Sequence, residues 1–239
     1  TIAGGELNYS NSTDNQIADA ANITMSSGVF AMGAREETIN SMALSGGNFT
    51  IGSGTLSLAA ASSFTGGNVS MTATTGRINT TGTTTLGNTT FSYDNASDAG
   101  TGIILSGDFL VTDSATANFT NVGAGSGRIN LNASDRVFDV GTGANMNVGW
   151  FIAPGSGTRG ITKNGTGTLT LSGNNTYTGT TTINAGALQI SGSGLLGGGS
   201  YSGNIAINGA TSTFLYNGTN SQTLSGVVSG NGLLTKSNS

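Results

Sequence analysis

Short runs in which apolar and polar residues alternate, each closed by Gly, Asn or Ser, recur along all 239 residues of this chain. They include Ile23 and Met25, Phe49 and Ile51, Leu56 and Leu58, Val69 and Met71, and Phe91 and Tyr93. Phe109 and Val111, Ile129 and Leu131, Leu169 and Leu171, Leu188 and Ile190, and Ile205 and Ile207 continue the pattern. Successive side chains of a strand point to opposite faces, so each run has one apolar and one polar face. The polar positions are chiefly Thr, Ser and Asn, and β-branched Thr suits a pleated surface. Helical spacing is nearly absent. Such a chain folds into many short strands with tight turns, as an antiparallel sandwich or barrel or as a parallel solenoid.

Internal repetition favours the solenoid. Residues 1–10 (TIAGGELNYS) return as residues 182–191 (TINAGALQIS), 181 positions later. Gly76-Arg77-Ile78-Asn79 returns 51 positions on as Gly127-Arg128-Ile129-Asn130, and Ile161-Thr162-Lys163 returns 73 positions on as Leu234-Thr235-Lys236. A coil of roughly 20–27 residues divides these offsets, within the size range of stacked solenoid units. The expectation is a single all-β solenoid over residues 1–239, of about ten coils. At ~4.8 Å per strand it makes a rod roughly 50 Å long.

Composition agrees with a packed core. Glycine is abundant, at 41 residues, but the net charge is only −4, and apolar residues are spread evenly. Disordered chains lack that apolar content and carry high net charge. The one proline, Pro154, leaves backbone pairing nearly uninterrupted. Without cysteine there is neither a disulfide framework nor a thiolate site. No apolar run approaches the length of a membrane helix.

Residues 160–190 read GITKNGTGTLTLSGNNTYTGTTTINAGALQI. This closely resembles the autotransporter passenger-associated β-strand repeat. Residues 15–20 and 37–42, within a partial repeat over 1–44, resemble its linking coils, and 224–236 resembles the start of another copy. The resemblance implies a right-handed parallel β-helix, exported by bacteria and used in adhesins, stalks or matrix proteins. It brings no catalytic residue with it. Within the motif, Gly165 and Gly167 allow a tight corner, Leu169 and Leu171 point inward, and residues 180–182 open the next strand. Both ends of the chain fall inside the repeat. That suggests a window cut from a longer solenoid or a subunit whose ends abut another.

Candidate sites are few. The chain has no histidine, which removes His-based triads and imidazole metal sites. Paired carboxylates can serve as acid and base, as in glycosidases, and Asp135, Arg136, Asp139, Asp108 and Asp113 are the candidates for such chemistry. Against it stands their reading as solvated turn residues. Asp94 and Asp98 place hard oxygens in one loop, the calcium candidate, yet the spacing matches neither the EF-hand loop nor the calcium-binding nonapeptide and reads as an Asx-rich turn. Gly197-Gly198-Gly199 lacks the Gly-Lys-Ser/Thr of a phosphate loop and reads as a turn. Trp150 is expected in the core or at its rim, near Pro154. No catalytic, cofactor or metal site is assigned.

The expected function is therefore an extracellular or cell-surface rod, structural or adhesive rather than enzymatic. A carbohydrate-active lyase or depolymerase is the alternative. The acidic pI of about 4.4 argues against nucleic acid as a partner. All eleven acids precede residue 140, where the net charge is −7, and the remainder carries +3. This split favours head-to-tail stacking of copies into a fibre. Host or matrix surfaces and glycans are the other expected partners.

Overall fold

A computed structural model describes residues 1–9, 14–95 and 102–237. Alternation dictates strands, and the strands stack in one direction: every pairing among the described residues is parallel. The fold is a parallel β-solenoid. One core column runs its whole length, through Leu7, Phe30, Phe49, Val69, Phe91, Phe119, Val148, Leu171, Ile190, Tyr216 and Lys236. Its ten steps are the coils. They range from the 19 residues between Phe30 and Phe49 to the 29 between Phe119 and Val148, so coil length is only loosely held.

Each coil has three sides. The first two belong to one continuous sheet, entered by long strands such as Ser41–Ile51 and later by pairs such as Ile161–Asn164 and Thr168–Leu171. The third side stacks Glu36–Ile39, Thr55–Leu58, Arg77–Thr80, Gly102–Leu105, Arg128–Asn130 and Phe151–Ala153. Inside lie columns of like residues, for example Leu56, Ile78, Ile103, Ile129 and Ile152. Stacking at the strand spacing suits aromatic rings. Phe91 lies face to face with Phe119 at 4.8 Å, and Phe30 with Phe49 at 5.1 Å. All the inward residues expected from alternation are buried except Ile23, which is partly so.

Trp150 is fully buried, against Phe119 and Tyr93, and its indole N–H donates to the Thr120 carbonyl at 2.9 Å. The expected core position holds. Gly197–Gly199 forms a short 3-10 turn rather than a phosphate loop.

The internal repeats occupy the register in three different ways. Ile78 and Ile129 share a column two coils apart, so the Gly-Arg-Ile-Asn pair is structurally equivalent. Leu7 lies in the column of Ile190, two residues beyond the Leu188 that the sequence match assigns to it. Lys163 is on the first side of its coil, beneath Ile183, whereas Lys236 is on the second, above Tyr216. A shift of two residues preserves which face is apolar, so sequence similarity alone does not fix the column.

The corner of the strongest repeat needs both of its glycines. Gly165 has φ of +72°, and a Cβ there would run into the Val140 carbonyl of the coil below. Gly167 has an ordinary φ, but a Cβ would strike the carbonyls of Gly141 and Ala144. We expect Gly165→Ala to destabilise the chain by about 1–3 kcal/mol, the cost of a strained backbone conformation. Thermal unfolding followed by circular dichroism checks this, and an unchanged melting temperature would refute the corner assignment.

Candidate functional site

Where the chain turns between sides, the ladder breaks and amide groups lose their backbone partners; buried ones need another acceptor. Side-chain oxygens from the neighbouring coil supply it. Asp108 Oδ1 accepts from the Val137 amide at 2.8 Å, Asp113 Oδ1 from Thr142 at 2.7 Å, and Asp135 Oδ1 from Gly160 at 2.8 Å. Asn88, Asn175 and Asn204 do the same for Thr116, Ile152 and Val227. The aspartates are thus staples between coils.

Arg136 is buried, with Nε donating to the Leu131 carbonyl at 3.1 Å and Nη1 to that of Ser106 at 2.8 Å. Burial pushes its pKa down, partly offset by nearby Asp108. Asp139 faces outward, in register with Asn164. Asn164 starts an amide ladder in which Asn184 donates to Asn164 and Asn208 to Asn184, each at 2.9 Å. The structure therefore brings Arg136 near Asp108, and it engages Asp108, Asp113 and Asp135 at three separate amides of neighbouring coils. Of the calcium candidates, Asp94 is exposed and Asp98 lies outside the described residues. No group of three or more possible metal ligands occurs among the described residues.

Two buried ionisable groups escaped the reading of the sequence. Lys163 is fully buried in a column between Phe138 and Ile183. Its ammonium donates to the carbonyls of Asn164 at 2.7 Å, Gly165 at 2.8 Å and Ala185 at 3.3 Å, so it ties the glycine corner to the next coil. Burial pushes its pKa down to about 8, against the opposing pull of Asp139. Glu37 is also buried, and its carboxylate accepts from the amides of Gln16 at 2.6 Å and Ile17 at 3.2 Å, beside Tyr9. Parity was the available signal: Lys163 alternates with Ile161, and Glu37 with Ile39, so both had to point inward.

A second polar cluster sits deeper. Thr181 Oγ1 lies 3.0 Å from the Tyr177 hydroxyl and 2.7 Å from that of Tyr201, which also bonds the Gly179 carbonyl. Burial raises both tyrosine pKa values, that of Tyr201 to about 12.

The outer surface carries little charge. A column on the second side runs Asn48, Asn68, Thr90, Asn118, Asn147 and Thr170. Within it Asn68 donates to Asn48 at 3.0 Å and Asn147 to Asn118 at 2.9 Å. This is a regular array of neutral donors and acceptors.

These buried groups give stability a defined pH dependence. In the folded chain Lys163 loses its proton near pH 8 rather than 10.5, so between those values the unfolded chain binds more protons and stability rises with pH. The gain is up to about 3 kcal/mol by the usual conversion. Tyr177 and Tyr201 act in the opposite sense: they ionise near pH 10 only when unfolded, so stability falls from pH 10 to 12. Melting temperature should therefore peak near pH 10, and Lys163→Met should remove the rise between pH 8 and 10 while leaving the fall. A flat wild-type profile over pH 8–10 would contradict the buried-ammonium assignment.

The passenger-associated-transport-repeat family matches residues 51–69 and 161–190. No curated protein matches the chain. No solved structure matches it either. The second match is the stretch announced above by its GTGTLTL corner. The first, at 51–69, carries the parallel GSGTLSL, which the sequence reading did not single out. The two copies sit on different sides of the solenoid: Leu56 is on the third and Leu169 on the second. The motif thus describes a strand, a corner and the next strand, whichever side it falls on. In sum of fold and match, this chain is a parallel β-solenoid, two stretches of which are similar to the passenger-associated-transport-repeat family.

Proposed function

We propose that the chain is a structural, non-enzymatic rod of an exported bacterial protein, which holds a Thr/Ser/Asn surface away from the cell for adhesive contact. The passenger repeat and the solenoid fold support a passenger rod. The observation that carries the non-enzymatic part is the engagement of Asp108, Asp113 and Asp135 with amides of adjacent coils. An acid held by a structural amide is poorly placed to exchange protons with a substrate.

Copies of the chain add end to end in this reading. The −7/+3 charge split supplies long-range attraction between the acidic and basic portions of neighbouring copies, which salt weakens.

Two measurements test these points. Deleting residues 77–127 joins Gly76 to Arg128 and preserves Gly-Arg-Ile-Asn in its column. The product should be about 10 Å shorter and still be secreted and displayed; loss of a defined polysaccharide-cleaving activity on this deletion would instead mark an enzyme. Electron microscopy of the purified chain at low salt and high concentration should show fibres that dissolve as salt is raised. Monomers alone under those conditions would eliminate the fibre.

A further inference from the structure

An asparagine followed by glycine is prone to cyclise, because a glycine nitrogen with no Cβ beside it can reach the side-chain amide and close a five-membered ring. The chain has four such pairs, at Asn164, Asn208, Asn217 and Asn231. Ring closure needs a base for the glycine N–H, and all eleven acids precede residue 140. Asp139, the last of them, is in register with Asn164 on the coil below. The other three pairs have no such neighbour. Asn208 and Asn217 stand over Asn184 and Ser191, and Asn231 follows a strand paired with Ile205–Ile207.

The groups around Asn164 are placed for this chemistry. A Cβ on Gly165 would stand 2.5 Å from Asp139 Oδ1, so the carboxylate lies directly against the glycine. Among the described residues no backbone carbonyl accepts from the Gly165 amide. The Lys163 ammonium donates at 2.7 Å to the Asn164 carbonyl, which belongs to the same peptide group as that amide. A cation there stabilises the charge that spreads to oxygen when the N–H is lost, and so makes the N–H more acidic. Asn184 Nδ2 donates to Asn164 Oδ1 at 2.9 Å, where negative charge develops as the nitrogen adds to Cγ. Asn164, Gly165 and Asp139 are each partly exposed, so water reaches them.

We propose that Asn164 is a self-modifying site, at which this corner converts its own asparagine to aspartate or isoaspartate. The Gly165 nitrogen gives its proton to Asp139 and bonds to Asn164 Cγ. The Cγ–Nδ2 bond then breaks, and ammonia leaves with the proton that Asp139 returns. Water opens the resulting succinimide at either carbonyl, so one water is consumed and one ammonia released. The new carboxylate stands in register with Asp139, about 4.8 Å along the ladder, and like charges so placed are destabilising. Isoaspartate also adds a methylene to the main chain at the end of strand Ile161–Asn164. Modification thus loosens the corner of the strongest repeat as the protein ages.

Peptide-mapping mass spectrometry of the folded chain, incubated at neutral pH, tests the site. Deamidation at Asn164 should run at least about tenfold faster than at Asn208, Asn217 or Asn231, the gain from a positioned base. In concentrated urea the four rates should converge. Asp139→Asn should slow the reaction at Asn164 at least about tenfold, and Asn184→Ala about tenfold. Asp94→Asn, exposed on another coil, should leave it unchanged. Asn164→Asp should melt about 2–4 °C below the wild type. Circular dichroism melting of each variant establishes that it is folded. The proposal is overturned if folded chain modifies Asn164 no faster than the other three, or if the rates stay apart in urea. A wild-type rate in folded Asp139→Asn, or cleavage between residues 164 and 165 in place of deamidation, overturns it too.

Discussion

The amide ladder that joins each coil to the next sets the geometry of everything else. It fixes the vertical repeat at about 4.8 Å. That spacing brings identical positions of successive coils into contact and turns single residues into columns. Leu56, Ile78, Ile103, Ile129 and Ile152 become one apolar wall, and Phe91 and Phe119 become a stacked pair. Asn164, Asn184 and Asn208 become a chain of amide bonds on the outside. Because each coil contacts mainly its neighbours, the solenoid tolerates coils from 19 to 29 residues as long as the paired segments keep register.

Tight stacking has a cost at the corners, where the chain leaves the ladder. The molecule meets it in two ways. Glycine corners let one coil lie directly on another, as at Gly165 and Gly167. Carboxylates and amides reach across to unpaired N–H groups, as Asp108, Asp113 and Asp135 do. Lys163 is the cationic counterpart, collecting three carbonyls at a single corner inside the core. A buried ammonium is unfavourable in an apolar column, yet here each of its donors finds a backbone acceptor, the condition under which burial is tolerated. Several of the chain's few charges are in this way engaged in holding coils together.

Much of the fold was legible in the chain because alternation reports side-chain direction without any knowledge of neighbours. It placed Leu169, Leu171 and Phe109 inside, and the same rule applied to Glu37 and Lys163 would have found both buried charges. The corner was legible too, since Gly165 and Gly167 flank a strand start. The roles of Asp108, Asp113 and Asp135 were not. An aspartate in a turn looks the same whether it faces water or caps an amide some 25–29 residues away.

The sequence by itself determined which residues face inward, where the corners fall, and that the units repeat. Those properties are local: they follow from a two-residue strand period and from backbone freedom at glycine. Only the tertiary structure decided which side and which column each segment occupies. Leu7 falls under the Ile190 column rather than that of Leu188, the two family repeats lie on different sides, and Lys236 is not the equivalent of Lys163. A shift of two residues or of one whole side leaves the inward face apolar, so the local pattern is blind to it. Hydrogen bonding to the preceding coil chooses among these registers, and that choice is what brings Arg77 and Arg128 to one face, 51 residues apart in the chain.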